Sequence, residues 1–208
     1  TLRALHVLAL VDAVACEDTR HTQQLLRAYG IERPGAQLLA VHQHNEAEAA
    51  GAVIAHLRHG LRIAYVSDAG TPAVSDPGAR LVAAVRAAGL PVVPLPGASS
   101  IITLLSAAGM TQEGGFVFAG FLPTKAAERE RAVLLLTAEP RAVVLLEAPH
   151  RIEALAGALA TLGERPVTFG RELTKQFEEI ATVPASDGPA WLAADANRQR
   201  GEFVVVLH

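Results

Sequence analysis

The chain has 208 residues, half of them apolar and only 4% aromatic, with a formal net charge of −3. That length suits one large or two small domains with a core built from Ala, Val and Leu, and the charge argues against a generally basic nucleic-acid surface. A single cysteine, Cys16, excludes a disulfide framework and fits a reducing compartment; no apolar run reaches the roughly 20 residues of a membrane span and no signal peptide is visible, so the expected location is the cytoplasm.

Residues 1–10 read as a helix with Leu2, Leu5 and Leu8 on one face, and the lack of a cap or preceding strand makes the start look truncated. A short strand at 14–16 runs into EDTRHT (17–22), followed by a helix at 23–29 closed by Gly30. A strand at 37–41 ends in HQHNE (42–46), and an Ala-rich helix continues to about residue 59. The strand at 63–67 meets SDAGTP and a second turn, SDPG (75–78), before a helix carrying Leu81, Val82 and Val85. A strand at 92–95 and the turn PGASS (96–100) lead into a helix at 101–108. The pattern then breaks around 109–115, where a domain boundary is expected. Beyond it come strands at 116–119, 142–147, 167–173, 177–181 and 202–207, with helices at 126–136, 152–162 and 190–195. The chain stops directly after an apolar strand, so its end also looks cut.

Strand, polar turn and helix recur, which predicts α/β architecture: a mostly parallel sheet in residues 1–112 and a mixed sheet in 113–208. Four polar clusters, EDTRHT, HQHNE, SDAGTP and PGASS, each follow a strand and are expected to line one cleft. At such a strand end Asp68 can accept hydrogen bonds from ribose hydroxyls, and Gly70 lets the backbone approach a ligand closely. This reads as the wall of a nucleoside-cofactor pocket. PGASS offers small residues and free N–H groups at a helix start, suited to a carboxylate, a phosphate or a flat ring. Neither GxGxxG nor GxxxxGK[ST] occurs.

Each cluster also has a plainer reading. Asp18 or Thr19 can cap the next helix, although Arg20 and His21 in its first turn oppose the dipole. His42 and His44 alternate on an extended segment and point to opposite faces, so no metal is expected; Asn45 or Glu46 can cap the following helix. Lys125 and Lys175 are the only lysines among 18 Lys+Arg residues. They mark places where a permanently charged Arg would not serve, or they reflect chance. For EAPHR (147–151) and GRELTKQFEE (170–179) salt bridging is the plain alternative.

EDTRHTxxLLxxxGI (17–31), HxHNE (42–46), VSDAGTPxxSDPG (66–78), VVPLPGxS (92–99), GFLPxK (120–125), ExPHR (147–151) and RELTKxxEE (171–179) together resemble the ribosomal RNA small subunit methyltransferase I family, of the tetrapyrrole methylase fold class. The resemblance implies two α/β domains with S-adenosyl-L-methionine bound in the cleft between them, and usually a homodimer. It implies 2′-O-methylation of a cytidine in the decoding region of 16S rRNA, with the small ribosomal subunit as partner and no membrane. Implied cofactor contacts are Asp68, Gly70, Thr71, Gly97, Ser99, Ser100, Ile101, Leu146, Glu147 and Glu172. Candidates for the base are Asp18, His21, His42, Glu46, Lys125 and Lys175, a lysine being preferred for orienting the hydroxyl or accepting its proton. Arg20, Arg151 and Arg171 are the expected RNA contacts. The family's opening strand with its Thr-Pro-Ile-Gly-Asn loop and its small helical C-terminal extension are not found in these residues, and Gln43 stands where an acidic residue is common. Two rivals remain at this point: a same-fold methylase of a tetrapyrrole or other small molecule, and a non-catalytic RNA- or nucleotide-binding module.

Overall fold

Ala13–Cys16 forms β1, buried at every position because it lies between two parallel neighbours. Those neighbours are β2 (Leu38–Ala40) and β3 (Ile63–Val66), in the order β2-β1-β3. In this computed structural model, which describes residues 1–42, 44–111 and 114–208, the sheet belongs to the first of two units, Thr1–Ser99; the second is Ser100–His208.

Alternation along β1 sends Val14 and Ala15 to opposite faces, and each nucleates its own apolar cluster. Val14 packs with Leu8, Val11 and Leu26, so α1 (Leu2–Leu10) and α2 (Thr19–Ala28) cover one face. Ala15 packs with Val41, Ala50, Val53, Leu81 and Val85, which brings α3 (Glu46–Arg58) and α4 (Ala79–Ala87) onto the other. Contrary to the expectation of an uncapped start, the Thr1 hydroxyl caps α1, accepting from the Ala4 N–H at 3.3 Å.

The strand expected at residues 92–95 does not form. An extended β-branched run becomes a strand only through a ladder partner, and among the described residues no strand pairs with it. Val93 is accordingly 67% exposed.

The second unit holds β4 (Phe116–Gly120), β5 (Ala142–Glu147), β6 (Pro166–Arg171), β7 (Glu179–Pro184) and β8 (Phe203–Leu207), ordered β4-β5-β8-β6-β7. β4 and β5 are parallel and the remaining pairs antiparallel, so the sheet is mixed, as expected. Val143, Leu145, Phe169, Val205 and Leu207 face α6 (Ala126–Leu136), α7 (Ile152–Leu159) and α8 (Gly188–Ala193). Val144, Val204 and Val206 face α5 (Ser100–Ala107) through Ile101 and Leu104. The fit is close: a Cβ on Gly170 would lie 2.6 Å from a Leu104 methyl. α5 therefore counts with the second unit, although the sequence placed the boundary at 112/113; Gln112 and Glu113 lie outside the described residues.

Candidate active site

Because β1, β2 and β3 run parallel, their carboxyl ends share one edge, where EDTRHT, HQHNE and SDAGTP begin. Asp18 caps α2: its Oδ1 accepts from the Arg20 N–H at 2.7 Å and the His21 N–H at 3.4 Å. Side-chain and backbone hydrogen bonds from Arg20 hold its carboxyl well below the usual range, at about 2. Arg20 itself pairs with Asp18 at 3.0 Å while staying 87% exposed. The two turns are joined by Asp68, whose Oδ1 accepts from the Asp18 N–H at 3.2 Å and whose Oδ2 lies 3.4 Å from His21 Nδ1. A carboxylate behind an imidazole fixes ring orientation.

HQHNE folds on itself and then reaches out. Asn45 Oδ1 accepts from the His42 N–H at 2.8 Å, and its amide donates to the Ala40 carbonyl at 3.0 Å. Glu46 is buried and caps not its own helix but α4, Oε1 accepting from the N–H groups of Gly78, Arg80 and Leu81 at 3.0, 2.8 and 3.0 Å. A carboxylate so engaged has a structural task, which displaces the expected catalytic one. His42 Nδ1 is buried with no hydrogen-bond partner among the described residues, and its ring stands edge-on to His44 at 6.0 Å. Gln43 lies outside the described residues.

The PGASS turn reaches the same edge without a strand to carry it. Thr71 Oγ1 donates to the Ala98 carbonyl at 3.2 Å, and Thr1 Oγ1 to the Pro96 carbonyl at 3.3 Å. Gly70 adopts φ +71°, as the turn requires. Gly97 has no such need: a Cβ there would meet no atom within 4 Å. Space over a glycine that the backbone does not require suits close approach by a ligand.

In the second unit the ends of β4, β5 and β6 share an edge with the starts of β7 and β8. Glu147 is buried there; Oε1 accepts from the Ala148 N–H at 2.9 Å and lies 3.1 Å from Arg151 Nε, while Oε2 is buried without a partner among the described residues. Arg151 also donates to the Leu122 carbonyl. Arg171 is 7% exposed, 3.7 Å from Glu179, which binds Arg198 at 2.7 Å; Arg198 in turn lies over the Trp191 ring. Arg151 and Arg171, expected at RNA phosphates, pair with carboxylates at the strand ends, and of the three Arg20 is the most displayed to solvent.

The lysines differ. Lys125 is 78% exposed and pairs with Glu128 at 3.0 Å. Lys175 Nζ donates to Glu172 Oε1 at 2.9 Å and Glu202 Oε2 at 3.0 Å. Burial lowers its pKa, but the hydrogen bonds to the two carboxylates outweigh that and raise it, which favours the ammonium over a proton-accepting amine. Glu202 belongs to no motif and follows Glu172 by 30 residues. Only the pairing of β6 with β8 brings them together, so no local signal in the sequence marks it. Among the described residues no group of three or more His, Cys, Asp or Glu is arranged to hold a metal ion.

A family model described as Tetrapyrrole (Corrin/Porphyrin) Methylases matches residues 1–187. Among solved structures the chain is similar to a cobalamin biosynthetic enzyme, cobalt precorrin-4 methyltransferase, with TM-score 0.69 and 17% identity over 99% of this chain and 87% of that one. It is also similar to uroporphyrin-III C-methyltransferase from Thermus thermophilus in complex with S-adenosyl homocysteine, with TM-score 0.63 and 18% identity over 100% and 90%. Fold and strand-end site therefore define a methylase of the tetrapyrrole class. Two curated relatives named ribosomal RNA small subunit methyltransferase I, from Pseudomonas aeruginosa and Escherichia coli O157:H7, are each 47% identical to it, over 99% and 100% of this chain and 72% of theirs. The chain belongs to the ribosomal RNA small subunit methyltransferase I family.

Proposed function

We propose that this protein transfers a methyl group from S-adenosyl-L-methionine to the ribose 2′-oxygen of a cytidine in the decoding region of 16S rRNA. The observation that carries the reading is the 47% identity, over 207 residues, with a relative named as a methyltransferase of small-subunit ribosomal RNA. The choice of cytidine and of the 2′-oxygen rests on the motif resemblance.

The residues suit the cofactor. Asp68 offers a carboxylate to hydroxyl or ammonium groups, Gly70 and Gly97 leave room for close approach, and Thr71 fixes the turn containing Gly97 and Ser99. Ser100 and Ile101 continue that turn into α5. In the second unit Leu146, Glu147 and Glu172 are the proposed contacts, and Glu147 Oε2, without a partner among the described residues, is an acceptor suited to a donor of the cofactor. Bound S-adenosyl-L-methionine supplies an electrophilic methyl on a sulfonium, so the protein's task is mainly positioning. His21, oriented by Asp68, is the group proposed to take the hydroxyl proton. Arg20 is proposed to meet RNA phosphate. The reading includes a homodimer working in the cytoplasm on the small ribosomal subunit. A chain of net charge −3 gains a basic RNA surface more easily as part of such an assembly.

The test is methyl incorporation from labelled S-adenosyl-L-methionine into small ribosomal subunits, followed by nucleoside analysis, with a corrinoid precursor as competing acceptor. Label in 2′-O-methylcytidine is expected. Label in the corrinoid or in a nucleobase would overturn the proposal.

A further inference from the structure

The turn after β6 carries more structure than a connection needs. Glu172 and Thr174 both lie at positive φ, +47° and +66°, conformations that cost non-glycine residues energy. They are held there from several sides. The Glu172 N–H donates to the Glu202 carbonyl at 3.0 Å and Glu202 N–H returns a bond to Glu172 Oε1 at 2.8 Å. Thr174 N–H donates to Glu178, and Lys175 N–H to the Glu172 carbonyl at 3.0 Å. Gly201, at φ +84°, leaves the gap that Glu172 fills; a Cβ there would sit 2.4 Å from Glu172 Cγ. Two residues beyond Lys175, the Phe177 ring is 65% exposed in a chain that is only 4% aromatic.

The charges decide what such a turn can receive. The one ammonium already lies between two carboxylates, which leaves little of its charge for a phosphate. A neutral sugar hydroxyl suits it better. Lys175 has three N–H donors and gives two of them to Glu172 and Glu202, leaving one for a hydroxyl oxygen. The largely exposed Glu202 carboxylate can accept a hydrogen bond from that hydroxyl. An exposed aromatic two residues from such a cluster has the chemistry that grips unpaired nucleotides, a ring that stacks on a base whatever its sequence.

We propose that the turn after β6 is a nucleoside subsite, in which Phe177 stacks an unpaired RNA base while Lys175 and Glu202 hydrogen-bond its ribose hydroxyls, with Glu172 only holding the Lys175 ammonium in place. Besides accepting from the hydroxyl, Glu202 holds Lys175 in place. The subsite rests on the ribosomal RNA reading above, and the adenosyl group of the cofactor is the other nucleoside of matching chemistry.

The experiment measures methyl transfer to small ribosomal subunits at saturating S-adenosyl-L-methionine, alongside equilibrium binding of that cofactor. Phe177→Ala is expected to raise KM for subunits about tenfold, with Phe177→Trp restoring it and cofactor affinity unchanged. Lys175→Gln is expected to raise KM without altering the slope of log KM against log salt; a phosphate contact would reduce that slope by about one. Independently of activity, competitive acylation of the two lysines reads the clamp: Glu202→Gln should speed modification of Lys175 relative to Lys125. Unchanged KM in Phe177→Ala and Lys175→Gln, with an active wild type, would overturn the subsite alone. Weakened cofactor binding in either would reassign the nucleoside to the cofactor, and a flattened salt slope would replace ribose with phosphate; each overturns the proposal. A wild type inactive on subunits overturns the reading beneath it.

Discussion

At the scale of single residues, Asp68 ties two motifs 50 residues apart in the chain, through the Asp18 N–H and the His21 ring. If His21 takes the substrate proton, His21→Gln should lower kcat on the order of a hundredfold with cofactor affinity intact, measured by single-turnover methyl transfer. Gly78 makes a different kind of demand. It sits at φ +121° with the Tyr65 ring beside it, where a Cβ would lie 2.3 Å from Cε1. Gly78→Ala should therefore destabilise the protein by about 2 kcal/mol or more, read from denaturant unfolding. The sequence marked Gly78 as a turn residue; that the ring of Tyr65 also needs its missing side chain came from the packing of β3 on that turn.

At the scale of elements, α4 starts at Gly78 with no side-chain cap of its own, and Glu46 from α3 supplies one. Glu46→Ala should cost about 2–3 kcal/mol, since three helix N–H groups lose a buried charged acceptor; Glu46→Gln should cost less, as thermal melts of the two variants would show. Reading HQHNE locally puts Glu46 at the start of α3, where it is, but gives it the wrong helix to cap. The acceptor and its donors are 32 to 35 residues apart, beyond any capping signature. EDTRHT was more transparent: Asp18 caps the helix that follows it, as a local rule expects. Residues 92–95 show the opposite limit, an apolar β-branched run with the composition of a strand and, among the described residues, no partner to make it one.

At the scale of the whole chain, each unit has its own sheet and apolar clusters, and ion pairs clip the strand ends of the second. One clip gives a pH signature. Burial pushes the Glu172 carboxyl up, yet the Glu202 N–H and Lys175 bring it below the usual 4.5; burial pushes Lys175 down, yet Glu172 and Glu202 carry it above 10.5. The stabilisation is therefore complete between those two values. It is lost as pH falls through the lowered Glu172 value and as pH rises through the raised Lys175 value. The melting-temperature gap between wild type and Glu172→Gln should be flat across that window and shrink outside it. The alternation of apolar strands, polar turns and helices was enough to set two α/β units with a parallel and a mixed sheet, because periodicity and turn chemistry are local properties of the chain. The motifs at the strand ends were likewise legible, since spacing is written in the sequence. Which partner each charged side chain in them meets was decided only in three dimensions. Arg151 and Arg171 read as phosphate ligands, with salt bridging as the plain alternative, until the fold put Glu147, four residues back, and Glu179, on the paired strand, beside them, and Lys175 read as a base until β8 delivered Glu202. A charge takes its role from its partners, and here those partners come from the neighbouring strand or the following turn of the fold.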